Sequence, residues 1–427
     1  MHYHIDRKTN FSVASITEDN LEIVSAVISV DLHETNSVAT QAMSLMYPDA
    51  LLSGAGTYSR EAFLDAVNSL GASVSASLGD GMMSIGIRST ATVFPKVLKL
   101  IKILLTEPTF PTNELKRIRE TIINNLYEHK ENSKAISLES LRNEMYGTGD
   151  RKHSFAIEDT IQAVEEVTMS VLKTQHQKML ERQWVCTIVG AEPVVKSFSQ
   201  MISTCKKGIV VQEVNSAHEL KAIKSKVLLT SIPSKQNIDF SIGAPIPFTL
   251  HHPDYVPLNF ALAVLGRWGG FAGRLMSTVR EKDGLTYMIY GRPEGFSGTE
   301  QGYWRIATFF APDKALQGLT STFREVTNLY KHGITEVEFE KFKVVLRTGQ
   351  VLLNDSIMSL MSDLHAYHLH GFTLVEMDEH KNKIKTVTIE EVNEVIKKYL
   401  NPNTLVISGA GPVSKVKKEI EGFVKQV

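Results

Sequence analysis

The chain has 427 residues, of which 43% are hydrophobic and 22% charged, and this composition predicts a packed, soluble protein of two or three domains. Its formal net charge of −1 argues against nucleic-acid binding, since a surface that follows phosphates needs a basic patch. No apolar run approaches the roughly 20 residues that cross a bilayer. The N-terminus lacks the apolar stretch of a secretory signal, so we expect a cytoplasmic protein with no membrane contact.

The only two cysteines are Cys186 and Cys205. Neither has a neighbour at zinc-ligand spacing, and two cysteines cannot build a disulfide framework. We therefore predict free thiols in a reducing compartment.

The first half of the chain mixes strand and helix patterns. The runs SVASI and EIVSAVISVDL read as strands, and a helix is predicted from about Val38 to Leu52. After a second helix that ends at Gly71, SVSAS and MMSIGI predict a hairpin across residues 79–81. Strand and helix do not alternate regularly, as they would in a parallel α/β fold. The pattern favours an α+β fold, with helices packed on one face of a mainly antiparallel sheet.

The second half repeats this plan. IQAVEEVTMSVLKTQHQKML before WVCTIVGA is echoed by IKTVTIEEVNEVIKKYL before TLVISGAG, each an acidic helix followed by an apolar strand. Thr112 and Thr335 are predicted N-caps of a corresponding pair of long helices. We predict two similar halves, residues 1–210 and 227–427, joined by a polar linker at 211–226.

The stretch GGFAGRLMSTVREKDGLTYMIY, residues 269–290, holds the strongest motif. A turn at Gly269 and Gly270 precedes a predicted helix over residues 273–282, and LTYMIY alternates as a strand. Arg280 would leave the end of the helix, and Tyr287 would rise from the strand beside it. A structural interpretation also fits, in which Arg280 neutralises the helix end and Tyr287 is a half-buried strand residue.

This stretch resembles the motif in the C-terminal half of the pitrilysin superfamily of zinc peptidases, the inverzincins, which include insulin-degrading enzyme and mitochondrial processing peptidase. The family pattern is a Gly-rich turn, a short helix, Arg-Glu-Lys and Gly-Leu-x-Tyr. Here it reads Arg280-Glu281-Lys282, Gly284-Leu285 and Tyr287. The resemblance implies two similar α+β halves, with Arg280 and Tyr287 reaching a zinc site on another half or another chain.

The family's first half carries His-x-x-Glu-His, in which two histidines bind zinc and the Glu is the general base. This chain contains no such motif. Aligned on Gly56-Thr57, the resemblance puts Tyr47, Ala50 and Leu51 where His, Glu and His would stand. The third ligand position falls near Asn125, with Glu120 and Glu128 close enough to leave that alignment open. We expect no metal or other cofactor in this chain and zinc in a partner subunit.

His365 and His368 are the other candidate metal ligands. His365 and His368 lie one helical turn apart in SDLHAYHLHGF and could share a metal, but no general base accompanies them. Exposed histidines near a helix end are the favoured interpretation.

The leading hypothesis is a non-metal-binding subunit of a heterodimeric zinc metallopeptidase, inactive alone. It would supply Arg280 and Tyr287 to the active site of a homologous His-x-x-Glu-His partner that hydrolyses peptides. The alternative is a catalytically inert structural or peptide-binding scaffold. An independent enzyme of other chemistry ranks last, because the sequence offers no nucleophile–base constellation. The sequence leaves the peptide substrate and the identity of the partner open.

Overall fold

The computed structural model describes residues 1–32, 34–209, 220–221, 223, 225–266, 272–352 and 355–424. Its strands are β1 His2–Arg7, β2 Phe11–Thr17, β3 Ile23–Asp31, β4 Gly54–Ala55, β5 Tyr58–Ser59, β6 Ser73–Gly79, β7 Met82–Thr90, β8 Trp184–Gly190, β9 Lys226–Ser231, β10 Ile238–Ile246, β11 Ile289–Glu294, β12 Gly302–Phe310 and β13 Val406–Gly411. Its α-helices are α1 Val38–Leu51, α2 Arg60–Ser69, α3 Phe94–Thr106, α4 Thr112–His129, α5 Ser133–Met145, α6 Ile157–Glu166, α7 Met169–Glu181, α8 Glu192–Cys205, α9 Tyr255–Gly266, α10 Ala315–His332, α11 Glu336–Leu352, α12 Ile357–Leu369, α13 Leu374–Thr386, α14 Ile389–Tyr399 and α15 Lys417–Val424. A π-helix spans Met276–Lys282, and 3₁₀ turns span Pro312–Lys314, Pro402–Thr404 and Val413–Lys415. Within these ranges, no helix is long and apolar enough to span a membrane.

The described residues form two compact units, each discontinuous in sequence. Unit 1 takes its residues from Met1–Leu126, Phe155–Ala217 and Leu352–Met377, and unit 2 from Tyr127–Ser154, His218–Val351 and Asp378–Val427. Each unit thus contains one helical segment from the other half of the sequence. The predicted division at residues 211–226 concerns sequence halves and stays a prediction, because most of that linker lies outside the described residues.

Unit 1 is built on a six-stranded sheet with the order β1-β2-β8-β3-β7-β6. The pair β2 and β8 is parallel and every other neighbouring pair is antiparallel, so the sheet is mainly antiparallel, as predicted. The predicted hairpin is also confirmed. β6 and β7 join through Asp80 and Gly81, which both have positive φ, as a two-residue turn of this kind requires.

Helices cover this sheet unequally on its two faces. Alternate residues of a strand face opposite sides, so Val13 and Ile28 belong to the main core with α1, α3 and α8. Ala14 and Val27 pack instead against Leu364 and its neighbours on α12. The predicted helical layer therefore lies on one face, and α12 covers part of the other.

Unit 2 is built on a five-stranded sheet with the order β11-β12-β10-β13-β9, in which β9 and β13 are parallel. Taken from β9, this order repeats β2-β8-β3-β7-β6 of unit 1, with the single parallel pair at the same position. The carboxylate of Asp239 on β10 accepts a hydrogen bond from the Ser133 hydroxyl of α5. The hydroxyls of Ser241 on β10 and Ser137 on α5 are hydrogen-bonded to each other. The repeat confirms the predicted pair of similar α+β halves.

Candidate functional site

The segment that carries the motif is anchored at its start by Arg274. Its guanidinium donates to both carboxylate oxygens of Glu338, at 2.7 and 2.8 Å, and to the carbonyl of Gly333 at 2.8 Å. Leu275, Met276 and Val279 are buried in the core of unit 2. Arg280 thus stands on a helix whose opposite face is fixed by apolar packing. The predicted helix takes the form of a π-helix over Met276–Lys282, a form often found at functional sites.

The end of the π-helix is anchored by Asp283. Its carboxylate accepts from the Ser321 hydroxyl at 2.6 Å and from the Arg324 guanidinium at 3.0 Å. The hydrogen bond from Ser321 is the main cause that lowers the pKa of Asp283 below its ordinary value, and the hydrogen bond and charge of Arg324 lower it further. Gly284 follows with φ of 63°, which is the left-handed stop that the sequence predicts.

Tyr287 does not lie on a strand, and the strand prediction for residues 285–288 is wrong. β11 begins only at Ile289. The Thr286 hydroxyl accepts from the Met288 amide at 3.3 Å and donates to the Met288 carbonyl at 3.2 Å. Such side-chain bonds to nearby backbone compete with a sheet ladder. The resulting turn leaves Tyr287 70% exposed.

The structure brings Arg280 and Tyr287 together. The guanidinium carbon of Arg280 lies 5.0 Å from the centre of the Tyr287 ring, which is a cation–π contact. Both residues stand on a segment held at Arg274, Asp283 and Met288. The Gly269 and Gly270 turn lies outside the described residues. The catalytic use of the pair stays a prediction.

The positions aligned with the metal motif lie in an apolar core. Tyr47, Ala50 and Leu51, all on α1, are fully buried. The Tyr47 hydroxyl lies 2.9 Å from Nδ1 of His176 and 3.3 Å from the Met179 sulfur. Burial raises the pKa of the Tyr47 hydroxyl and lowers that of His176 to about 4, so both groups are neutral at pH 7.

These residues do not fit a zinc ion. Ala50 and Leu51 offer no donor atom, and Asn125, together with Glu120 and Glu128, is exposed on α4 while the α1 positions are fully buried. Across the described parts of the chain, no group of three or more His, Cys, Asp or Glu side chains could hold a metal ion. The residues aligned with the metal motif therefore do not offer a set of donor atoms that could bind zinc.

The prediction that His365 and His368 are exposed is wrong. His368 is 4% exposed and His365 is half-buried, since α12 packs on the sheet of unit 1. The ring nitrogens of His365 lie 2.9 Å from the hydroxyls of Ser29 and Thr187. Burial lowers the pKa of both histidines to about 4. Ser29 and Thr187 are polar residues inside apolar strands, and this pattern could have indicated that a polar side chain such as His365 packs against them.

Comparisons with known proteins agree with the motif. A model of the peptidase M16 inactive domain matches residues 181–346. The non-peptidase homolog YmxG of Helicobacter pylori is 22% identical over 318 residues, which cover 72% of this chain and 70% of that protein. An uncharacterized zinc protease of Mycobacterium tuberculosis is 31% identical over 145 residues, but these cover 34% of this chain and 33% of that protein.

A solved structure shows the same fold. The crystal structure of a peptidase M16 inactive domain from Pseudomonas fluorescens has a TM-score of 0.84 at 21% identity, over 96% of this chain and 98% of that one. These matches support the resemblance to the pitrilysin superfamily that residues 269–290 predict. Within it, the matched region is one described as the inactive domain.

Proposed function

We propose that this chain is the non-metal-binding subunit of a two-chain zinc metallopeptidase. A homologous partner with His-x-x-Glu-His would hold the zinc, and this chain would supply Arg280 and Tyr287 to the shared site. The contact between the Arg280 guanidinium and the exposed Tyr287 ring carries the proposal. The apolar core in which Tyr47, Ala50 and Leu51 are packed supports the assignment of the metal to the partner.

The two side chains suit the stabilisation of negative charge. During peptide hydrolysis, the former carbonyl oxygen becomes an oxyanion, and donors already aimed at that position lower the barrier most. The Tyr287 hydroxyl would donate to the oxyanion. Arg280 would add positive charge nearby and hold the ring through the cation–π contact. The partner would supply the metal-activated water.

The substrate in this proposal is a peptide, bound in extended form along a sheet edge. The free, buried thiols of Cys186 and Cys205 support the cytoplasmic location that we propose for the complex.

Reconstitution tests the proposal. The chain, a homologous His-x-x-Glu-His chain from the same genome, and their mixture are assayed on a peptide library, with size-exclusion chromatography to detect a complex. We expect activity from the mixture that a chelator abolishes, none from this chain alone and little from the partner alone. Activity of this chain alone would contradict the assignment.

Tyr287→Phe then separates catalysis from assembly. It removes one hydroxyl from an exposed side chain, so the complex should form normally while kcat falls by about 10²–10³, the usual effect of losing one oxyanion donor. KM should change little, because the bond strengthens mainly in the transition state. Tyr127→Phe, at another exposed tyrosine, is the matched control.

A second candidate is an inert scaffold, which the similarity to the non-peptidase homolog of Helicobacter pylori favours. It predicts a complex in which Tyr287→Phe has wild-type kcat. That result would replace the catalytic assignment with the scaffold.

A further inference from the structure

We propose that Thr308 and Thr286 are positioning residues that hold the turn carrying Tyr287, and through it the phenol, in the orientation that catalysis uses. The inference rests on the proposed function of Tyr287. It follows from how the sheet of unit 2 ends next to that residue.

The backbone ladder of β11 and β12 starts with the pair Ile289 and Thr308. One residue before it, the Met288 carbonyl accepts from two hydroxyls, those of Thr308 at 3.1 Å and Thr286 at 3.2 Å. Two threonine hydroxyls thus bond the backbone where the ladder has not yet begun.

Tyr287 lies inside this arrangement. The Met288 amide donates to the Thr286 hydroxyl at 3.3 Å, which closes a small turn with Tyr287 at its centre. The Thr308 hydroxyl is also 3.4 Å from that of Thr286. The Met288 backbone, which follows Tyr287 directly, is therefore held by side-chain hydrogen bonds, while the Tyr287 ring is exposed beside Arg280.

Thr308 provides the link from this turn to a rigid element. It is 6% exposed on β12, which lies between β11 and β10 and is paired on both sides. Trp304, Ile306 and Phe310, at alternate positions of the same strand, belong to the apolar core. A valine would suit that apolar row, so the hydroxyl of Thr308 is explained by its bond to Met288 and not by core packing.

The inference predicts that Thr308 affects kcat only through Tyr287. In the reconstituted complex, Thr308→Val should lower kcat by roughly tenfold with little change in KM, since small misplacements of a catalytic group are costly. Thr308→Ser keeps the hydroxyl and should restore most of the activity. Thr322→Val is the matched control, because Thr322 is buried and its hydroxyl donates to a backbone carbonyl of its own helix at 2.7 Å.

A double-mutant cycle tests whether Thr308 affects kcat through Tyr287. In a Tyr287→Phe background, Thr308→Val should cause no further loss of kcat. An equal loss in both backgrounds would overturn the inference, as would wild-type kcat for Thr308→Val when Tyr287→Phe is impaired. Wild-type kcat for Tyr287→Phe itself would instead overturn the proposed function, and the inference with it.

Amide hydrogen exchange on the isolated chain gives a second readout that needs no partner. Thr308→Val and Thr286→Val should each speed exchange of the Met288 amide several-fold, while Thr322→Val should leave it unchanged. Unchanged exchange in a folded Thr308→Val chain would show that the turn does not depend on this hydroxyl.

Discussion

The hydroxyl oxygen of Tyr47 lies 2.9 Å from Nδ1 of His176 in the core of unit 1. The Nε2 atom of the same ring lies 3.0 Å from the Leu105 carbonyl, which can only accept a hydrogen bond. Nε2 therefore carries the proton, and Nδ1 accepts from Tyr47. A satisfied hydroxyl–imidazole pair thus joins α1 to α7 at the position where the resemblance puts a metal ligand.

Tyr47→Phe tests how much this hydrogen bond contributes to the stability of the folded chain. It should lower the free energy of unfolding by about 1–3 kcal/mol, because Nδ1 of His176 is left buried without a donor. Denaturant unfolding at pH 7.5 measures the change. Tyr58→Phe, in the same unit but only half-buried, is the control. Equal stability of Tyr47→Phe and wild type would show that the pair contributes nothing.

Zinc content tests the assignment of the metal to a partner. After dialysis, the chain should hold far less than one zinc ion per molecule. The triple change Tyr47→His, Ala50→Glu, Leu51→His should not create a site, because these positions face the core and the change would bury polar groups there. One tightly bound zinc that is lost on mutation of His365 and His368 would instead identify that pair as ligands.

Mild acid should destabilise unit 1. Burial lowers the pKa values of His176, His365 and His368 from 6.5 to about 4. As pH falls, the unfolded chain takes up protons first, so stability is full above about pH 6.5 and declines toward pH 4. At pH 5, each of the two buried imidazoles, those of His176 and His368, should lower the free energy of unfolding by about 2 kcal/mol.

Unfolding at pH 7.5 and pH 5.0 measures this decline. His368→Gln should reduce the loss between the two pH values, because it removes one of the buried groups that must charge. His332→Gln, at an exposed position, is the control. A decline of the same size in His368→Gln would mean that His368 does not contribute.

Arg280 should contribute through its shape as well as its charge. Arg280→Lys keeps the charge but loses the planar group that lies over Tyr287, so a partial loss of kcat is expected. Arg280→Ala should lose more, on the order of 10². Steady-state kinetics with the partner in excess measures both, and Arg347→Ala, on the exposed surface of α11, is the control. Full activity of Arg280→Ala would exclude a direct role.

Local patterns in the sequence were enough for much of the fold. The hairpin at Asp80 and Gly81 and the helix that starts at Val38 follow from turn residues and apolar spacing over a few positions. The two halves followed from repeated helix–strand patterns. The motif around Arg280 and Tyr287 was also visible, since its order and spacing are continuous in the chain.

Contacts between distant segments were not visible in this way. Alternation favoured a strand through Tyr287, but the hydroxyls of Thr286 and Thr308, 22 residues apart, bond the backbone before the ladder starts. His365 looked like a surface residue because its partners Ser29 and Thr187 are 336 and 178 residues away.

Most of the elements, the repeat and the loss of the metal motif could be predicted from the sequence, because each depends on residue types within a short window. Two features came only from the folded chain: the packing of the α12 histidines on the sheet of unit 1, and the position of the Arg280 guanidinium over the Tyr287 ring. Burial and side-chain orientation depend on which segments meet, and a short-range pattern carries no information about segments hundreds of residues apart.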